Sequence, residues 1–308
     1  MANSKYAYVR NFELPDPLLP GTFILFRLDG HSFHRFADKH KFTKPNDVRA
    51  LELMDHAAKD VVEEYPDIVL AFGESDEFSF LLRKSTTLYN RRQSKIVSTL
   101  TSLFTSCYVF HWPKYFPDTP LQYPPSFDGR IVLYPTEKHV RDYFAWRQAD
   151  THINNLYNTT FWALVQQGGQ TTTEAHAALR GTLSKEKHEI LFSRFDINYN
   201  DIDARYRKGS VLFREEIPED PQGGTNPSSG HKSIVIEKRP SKTEEKTESS
   251  VTNEAQGEAL PTEGATQNQK TKKAKEKRKQ QQPSRIAIQH YDIIKDEFWD
   301  TRPDILAD

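Results

Sequence analysis

The chain has 308 residues, enough for one large domain or two smaller ones, and its 42 Lys and Arg nearly balance 43 Asp and Glu for a formal net charge of -1. That balance hides a run at 270–279 with seven Lys or Arg against the single acid Glu276, so global charge says little about partners. The lone Cys107 excludes an internal disulfide and a cysteine-rich zinc site. The lack of any stretch of 18 apolar residues, and of an apolar signal core in 1–14, points to a soluble intracellular protein, cytoplasmic and/or nuclear, with no membrane partner.

Residues 1–21 are polar and proline-rich and lead into a first predicted strand at 22–28, which ends on Asp29-Gly30. A mixed aromatic and basic stretch occupies 31–44. Pro45-Asn46-Asp47 is a helix-start signal, and Val48, Leu51, Met54, Ala58, Val61, Val62 and Tyr65 follow at helical spacing until Pro66 ends the helix. A second strand is predicted at 68–72 and a third at 77–83, joined as a hairpin through Gly73-Glu74-Ser75-Asp76. The next helix turns Ile96, Leu100, Leu103, Phe104, Cys107 and Tyr108 inward, which makes Cys107 a packed thiol. Arg91, Arg92 and Lys95 near its start oppose the helix dipole and call for an anionic partner. A proline-rich loop at 113–125 precedes a fourth strand at 129–134. Strand, helix, strand, strand, helix, strand is the α+β, ferredoxin-like layout: βαββαβ, an antiparallel sheet with helices on one face, here over 1–135.

Beyond it, helices are predicted at 136–148, 152–167 with Gly168-Gly169 as a stop, 173–180 and 184–195, then a closing strand at 209–214. This makes 136–216 a mainly helical C-terminal module packed on the sheet. Residues 217–285 are polar and basic with almost no aromatics and read as a disordered insertion. The mean hydropathy of -0.75 reflects such a diluting segment. Its basic run reads as solvated linker, or as a nuclear address or nucleic-acid contact. Apolar residues return with Tyr291, Ile293, Ile294, Phe298 and Trp299, so 286–308 is expected to dock back on the core.

The chemistry concentrates where two apolar strands end on carboxylates, at Asp29 and, 47 residues later, at Asp76. An isolated strand ending in Asp-Gly is more often a turn or a salt-bridge partner. Two such carboxylates at one sheet edge also suit a pair of Mg2+ ions, which take carboxylate and phosphate oxygens and clamp a phosphoryl displacement. Gly30 leaves its carbonyl accessible to an ion, and the amides of His31, Ser32, Phe33 and His34 form a candidate anion nest. Lys44, Arg92 and Lys95 offer charge to a triphosphate, although each alone is more often a solvated surface charge. No Walker or Rossmann glycine pattern is present. In the asparagine-rich stretch 150–159, His152 and Asn155 share a helix face that either bonds a sugar or phosphate or belongs to a capping network. Lys187 and Asn198 have weaker individual claims.

Four motifs in order, Arg27-x-Asp29-Gly30-x-x-Phe33-His34-x-Phe36, Lys44-Pro45-Asn46-Asp47-x-Arg49-Ala50-Leu51, Gly73-x-Ser75-Asp76-Glu77-x-Ser79-Phe80 and His152-Ile153-Asn154-Asn155-Leu156-Tyr157-Asn158-Thr159, resemble the eukaryotic tRNA-histidine guanylyltransferases. The resemblance runs through about residue 216 and resumes near Tyr291. It implies a polymerase-like palm working 3′ to 5′, which adds a guanosine to the 5′ end of histidine tRNA with GTP and ATP as substrates. It further implies two Mg2+ on Asp29, Asp76 and the Gly30 carbonyl, and nucleotide contacts from 29–34, Ser75 and Asp76. Lys44, Asn46 and Asp47 would meet nucleotide or triphosphate, and Arg92 and Lys95 phosphate. His152, Asn155, Lys187 and Asn198 would serve activation, the second nucleotide or the tRNA end. A homotetramer, a dimer of dimers, is implied as well. Two other readings are a non-catalytic RNA-binding protein, for which the first strand lacks the expected basic-Gly-aromatic pattern, and a palm-type nucleotidyl cyclase, which would share both aspartates.

Overall fold

The computed structural model describes residues 4–216 and 284–307. The expected insertion at 217–285, with its basic run, lies outside them except for Ser284 and Arg285, which open a strand. Met1–Glu215 and Arg285–Asp308 together form one compact unit, which holds the elements below up to the strand ends at Glu216 and Ser284.

Six strands form one sheet in the order β4-β1-β3-β2-β5-β6: β1 Phe23–Gly30, β2 Ile68–Glu74, β3 Glu77–Leu82, β4 Phe127–Tyr134, β5 Ser210–Glu216 and β6 Ser284–Gln289. β1 pairs antiparallel with β3 and β4, and β2 with β3 and β5. The inner order β4-β1-β3-β2 follows when both connecting helices cross the same face. Those helices are α2, Val48–Glu64, and α3, Gln93–Tyr115, which cover Ile24, Phe26, Leu28, Phe78, Phe80 and Leu82. The opposite face, with Phe23, Leu25, Leu70, Phe72 and Leu81, is covered by Val140, Tyr143 and Phe144 and by the C-terminal residues Ile293, Phe298, Trp299, Ile305 and Leu306. Burial on both faces explains why Ile68-Val69-Leu70-Ala71-Phe72 is a continuous apolar run, not an alternating one.

Asp47 caps α2 by accepting from the Arg49 amide. The dipole-opposing start of α3 finds its anion in Asp16, whose carboxylate accepts from the Ser94 amide at 2.8 Å and from Arg92 at 3.2 Å. Three expectations change. Residues 33–39, within the stretch left without structure, form a short helix, α1 Phe33–Lys39, because Phe33 and Phe36 are buried on one side of it. The helices expected at 136–148 and 152–167 are one, α4 Glu137–Gln166, of 30 residues. Asp150 and Thr151 start nothing: the Thr151 hydroxyl donates back to the Arg147 carbonyl at 2.9 Å, inside the helix. The closing strand, β5, joins the palm sheet beside β2 instead of the helical module.

The module itself is α4 with α5 Thr172–Leu179, α6 Ser184–Phe195 and α7 Ala204–Lys208. The C-terminal segment ends in α8 Asp296–Asp300 and a 3-10 turn. Gln148 of α4 anchors this segment by donating to the Tyr291 carbonyl and accepting from the Ile293 amide, both at 2.8 Å. Among the described residues no helix is long and apolar enough to cross a membrane.

Candidate active site

β1 sets Asp29 opposite Glu77 of β3 and Asp128 of β4. Glu74 pairs with Glu77, which leaves Ser75 and Asp76 as a two-residue hairpin turn, with Ser75 left-handed at φ 50°. The end of β1 meets this turn: the Gly30 amide donates to the Asp76 carbonyl at 3.0 Å. A Cβ on residue 30 would lie 2.8 Å from Asp76 Oδ2 and 2.3 Å from the Phe33 ring, so only glycine lets the carboxylate settle there.

Asp29 and Asp76 line the same cleft, of about 790 Å3, a size that suits a nucleotide. Burial pushes the Asp76 carboxyl up and the charge of Asp29 adds to the push, against the Ser75 hydroxyl, which donates to Asp76 at 3.0 Å, and His34. The two neighbouring acids are neutralised differently. Arg147 of α4 donates to Glu74, to Glu77 at 2.7 and 3.0 Å, and to Asp150 at 3.2 Å, while Arg27 stands 3.9 Å from Glu77. Even so, burial pushes Glu74 up to about 7. The arginines of this region thus serve Glu74 and Glu77, and Asp29 with Asp76 is the acid pair that calls for another cation. The donors are all oxygen, which fits a hard ion such as Mg2+.

The far rim is shared by the loop before α2 and the second module. Lys44 lines the cleft, 2.9 Å from Asp38 and 5.7 Å above the Trp162 ring. Asn46 donates to Asn155 of α4 at 2.9 Å, and Asn155 donates to the Tyr199 hydroxyl at 2.9 Å.

A family model described as tRNAHis guanylyltransferase matches residues 6–135, and a second, the Thg1 C terminal domain, matches 138–295. The chain belongs to the tRNAHis guanylyltransferase family. It is accordingly an enzyme, a nucleotidyltransferase, as the four sequence motifs suggest. The "Probable tRNA(His) guanylyltransferase" of Dictyostelium discoideum is 48% identical over 307 residues, 100% of this chain and 99% of the relative. The tRNA(His) guanylyltransferase of Schizosaccharomyces pombe is 58% identical over 220 residues, 71% of this chain and 84% of its own. The crystal structure of the Saccharomyces cerevisiae enzyme superposes with a TM-score of 0.66 at 50% identity, covering 68% of this chain and 93% of that one. A bacterial Thg1-like protein in complex with ATP superposes with a TM-score of 0.56 at 25% identity, covering 67% and 85%.

Within this chain, the cleft gathers Asp29, Phe33, His34, Lys44, Asn46, Asp47, Ser75, Asp76 and Asn155. Several of these are already engaged. The Asp47 carboxylate accepts from the Thr43 amide and from the Arg49 amide and guanidinium; burial opposes ionisation, but these bonds win and hold its carboxyl low. Asp47 is therefore engaged as the cap of α2 while it lines the cleft. Phe33 is buried and stacks on Phe36 at 4.8 Å, as core beneath Gly30. The His31 amide donates to the Ser126 carbonyl at 2.9 Å, and Ser32 accepts from Arg35 and Phe36 as α1 begins, so the expected nest is partly closed by local structure.

Others stand elsewhere. Arg92 and Lys95 sit at the start of α3, where Arg91 donates to the Thr22 carbonyl just before β1, the end of that strand opposite Asp29. Arg92 pairs with Asp16 and Lys95 covers the Tyr89 ring. Within one chain they do not join Lys44, because eight residues of strand lie between. Lys187 is buried and donates to the Thr182 carbonyl at 2.7 Å, and Asn198 caps a 3-10 turn and donates to Asp201 at 3.0 Å. His152 packs edge-on to Tyr199, behind Asn155. Burial, with His188 and Arg207 nearby, pushes its imidazole below the usual range.

Sequence reasoning missed Asp55, Arg147, Trp162 and Arg205, all of which line the cleft. Arg147 meets Glu74 and Glu77 across 73 and 70 residues, and no local pattern reports such a pairing.

Proposed function

We propose that this chain adds a guanosine to the 5′ end of histidine tRNA through three substitutions at phosphorus. The tRNA 5′-monophosphate attacks ATP and becomes adenylylated with loss of pyrophosphate, the 3′-hydroxyl of GTP then displaces AMP, and the new 5′ end loses pyrophosphate. Such reactions depend chiefly on positioning and charge stabilisation. The observation that carries the reading is the meeting of Asp29 and Asp76 at one rim of a nucleotide-sized cleft, with the other acids of that rim already paired to arginine. Asp29, Asp76 and the Gly30 carbonyl would hold two Mg2+, which when bound supply charge neutralisation and activation of the attacking oxygen. Ser75 orients the Asp76 carboxylate, Lys44 brings a positive charge to the far rim, and the Asn46–Asn155 bond ties the loop before α2 to α4 there.

The Saccharomyces enzyme is a tRNA(His) guanylyltransferase, and the bacterial relative binds ATP; both support the same substrates here. Assembly as a homotetramer belongs to this reading, and exposed apolar side chains such as Tyr8, Phe12, Leu14 and Phe110 support it.

The test is incorporation of label from α-labelled GTP into 5′-monophosphorylated histidine tRNA with ATP and Mg2+. The parent protein should transfer label, and Asp76→Asn should lose about a hundredfold or more, beyond the effect of removing an outer partner. Folded parent protein that binds the tRNA without transfer would sink the proposal, and cyclic nucleotide made without tRNA would redirect it to a cyclase.

A further inference from the structure

Away from the cleft, α2 and α3 pack along one another and bring together three side chains that the reaction does not use. His56 and Asp60 lie one turn apart on α2, and His111 faces them from α3. One ligand atom from each falls within 4.8 Å of the others. His111 Nε2 is 2.6 Å from one Asp60 oxygen, and His56 Nε2 is 3.9 Å from the other. The two imidazoles stack with centroids 3.7 Å apart. The Tyr115 hydroxyl is bonded to His56 Nδ1 at 3.0 Å, so the ring is fixed with Nε2 turned toward Asp60. An outer hydrogen bond of this kind is what orients a metal-bound histidine. The cluster is partly shielded, with side chains 23%, 29% and 16% exposed for His56, Asp60 and His111. Cys107, one turn before His111, borders the same carboxylate. Lys59, next to this face, is directed to Glu63 at 3.5 Å.

We propose that His56, Asp60 and His111 bind one zinc-like divalent ion that ties α2 to α3, separately from the acid pair at Asp29 and Asp76. Two imidazoles and a carboxylate form a set that Zn2+ accepts as three of its four ligands, whereas Mg2+ prefers oxygen alone. Their ligand atoms already lie within 4.8 Å of one another, and Cys107 borders the same carboxylate. The ion would act as a clip: it binds only when the two helices are packed, so its affinity adds to the stability of the folded state.

The experiment uses the full-length protein with excess Mg2+ present and Zn2+ as the probe, titrated against a chelating indicator and followed by thermal melting. The expected result is one equivalent of Zn2+ bound, with the melting temperature raised by about 5–10 °C at a hundredfold excess of free Zn2+ over its dissociation constant. His111→Phe should weaken binding at least about tenfold and remove the shift. Asp76→Asn should change neither. His56→Gln replaces His111→Phe if the latter melts far below the parent without metal. No Zn2+ binding in the presence of Mg2+, equal affinity in the histidine variants, or binding that disappears in Asp76→Asn would each overturn the proposal.

Discussion

Replacing Arg147 with Met removes the guanidinium beneath the Asp76 hairpin while keeping much of the side chain's bulk. Arg147 and Glu74 are each 7% exposed and Glu77 is 12% exposed, so the variant strands Glu74 away from water and leaves Glu77 with Arg27 alone, 3.9 Å away. Breaking one side of a buried ion pair costs about 3–5 kcal/mol. The lower end applies here, because burial already holds Glu74 at about 7 and, without Arg147 to oppose it, the carboxyl protonates more readily. The expected loss is about 3 kcal/mol at about pH 7.5, shrinking as pH falls and the stranded acid takes up a proton. Urea denaturation followed by far-UV circular dichroism at several pH values measures it. Adding Glu74→Gln should return most of the loss, since Glu77 keeps Arg27 3.9 Å away and no fully unpaired charge is then left. A loss below about 1 kcal/mol, the range of exposed pairs, or no recovery in the double variant, would refute the claim that this network holds the hairpin.

Burial raises the Asp55 carboxyl from 3.8 to about 6, in spite of the Ser210 hydroxyl at 2.9 Å and Arg205 at 3.3 Å. A raised carboxyl favours the protonated folded form, so its contribution is full below about pH 4 and is lost as pH rises through about 6, a change of about 3 kcal/mol. Asp55→Asn should abolish that slope, and denaturation midpoints against pH will show whether it does. Gly30→Ala puts a Cβ 2.3 Å from the Phe33 ring and 2.8 Å from Asp76 Oδ2. It should cost about 1–3 kcal/mol by overpacking and depress label transfer further than stability alone explains. Asn155→Ala loses the 2.9 Å bonds to Asn46 and Tyr199 at a buried position. About 2 kcal/mol of stability should go with them, and a value near zero would mean that water replaces both.

The elements were legible where one short-range pattern dominated. Strand ends at Asp29-Gly30 and Ser75-Asp76, the α2 cap at Asp47 and the Gly168-Gly169 stop each need only a few neighbouring residues, and the backbone follows them. The meeting of Asp29 and Asp76 at one sheet edge was legible for the same reason, since each carboxylate closes an apolar strand where the chain must turn. Single helix α4 was not, because its Asp150 and Thr151 look like a helix start when read locally, yet packing of Val140, Tyr143 and Phe144 on the sheet and of Leu156 and Leu164 on the module carries the helix through.

Sequence by itself determined the α+β layout, the family and the two aspartates. Only the tertiary structure decided which charges meet. Lys44 reaches the cleft while Arg92 and Lys95 lie at the other end of β1, although all three look alike as isolated cations. Arg147 finds Glu74 and Glu77, Asn155 finds Asn46, and His111 finds His56 and Asp60 through contacts 51 to 109 residues apart. Periodicity reports which face of an element is buried, but the partner of a buried polar group is set by how faces from distant elements are stacked.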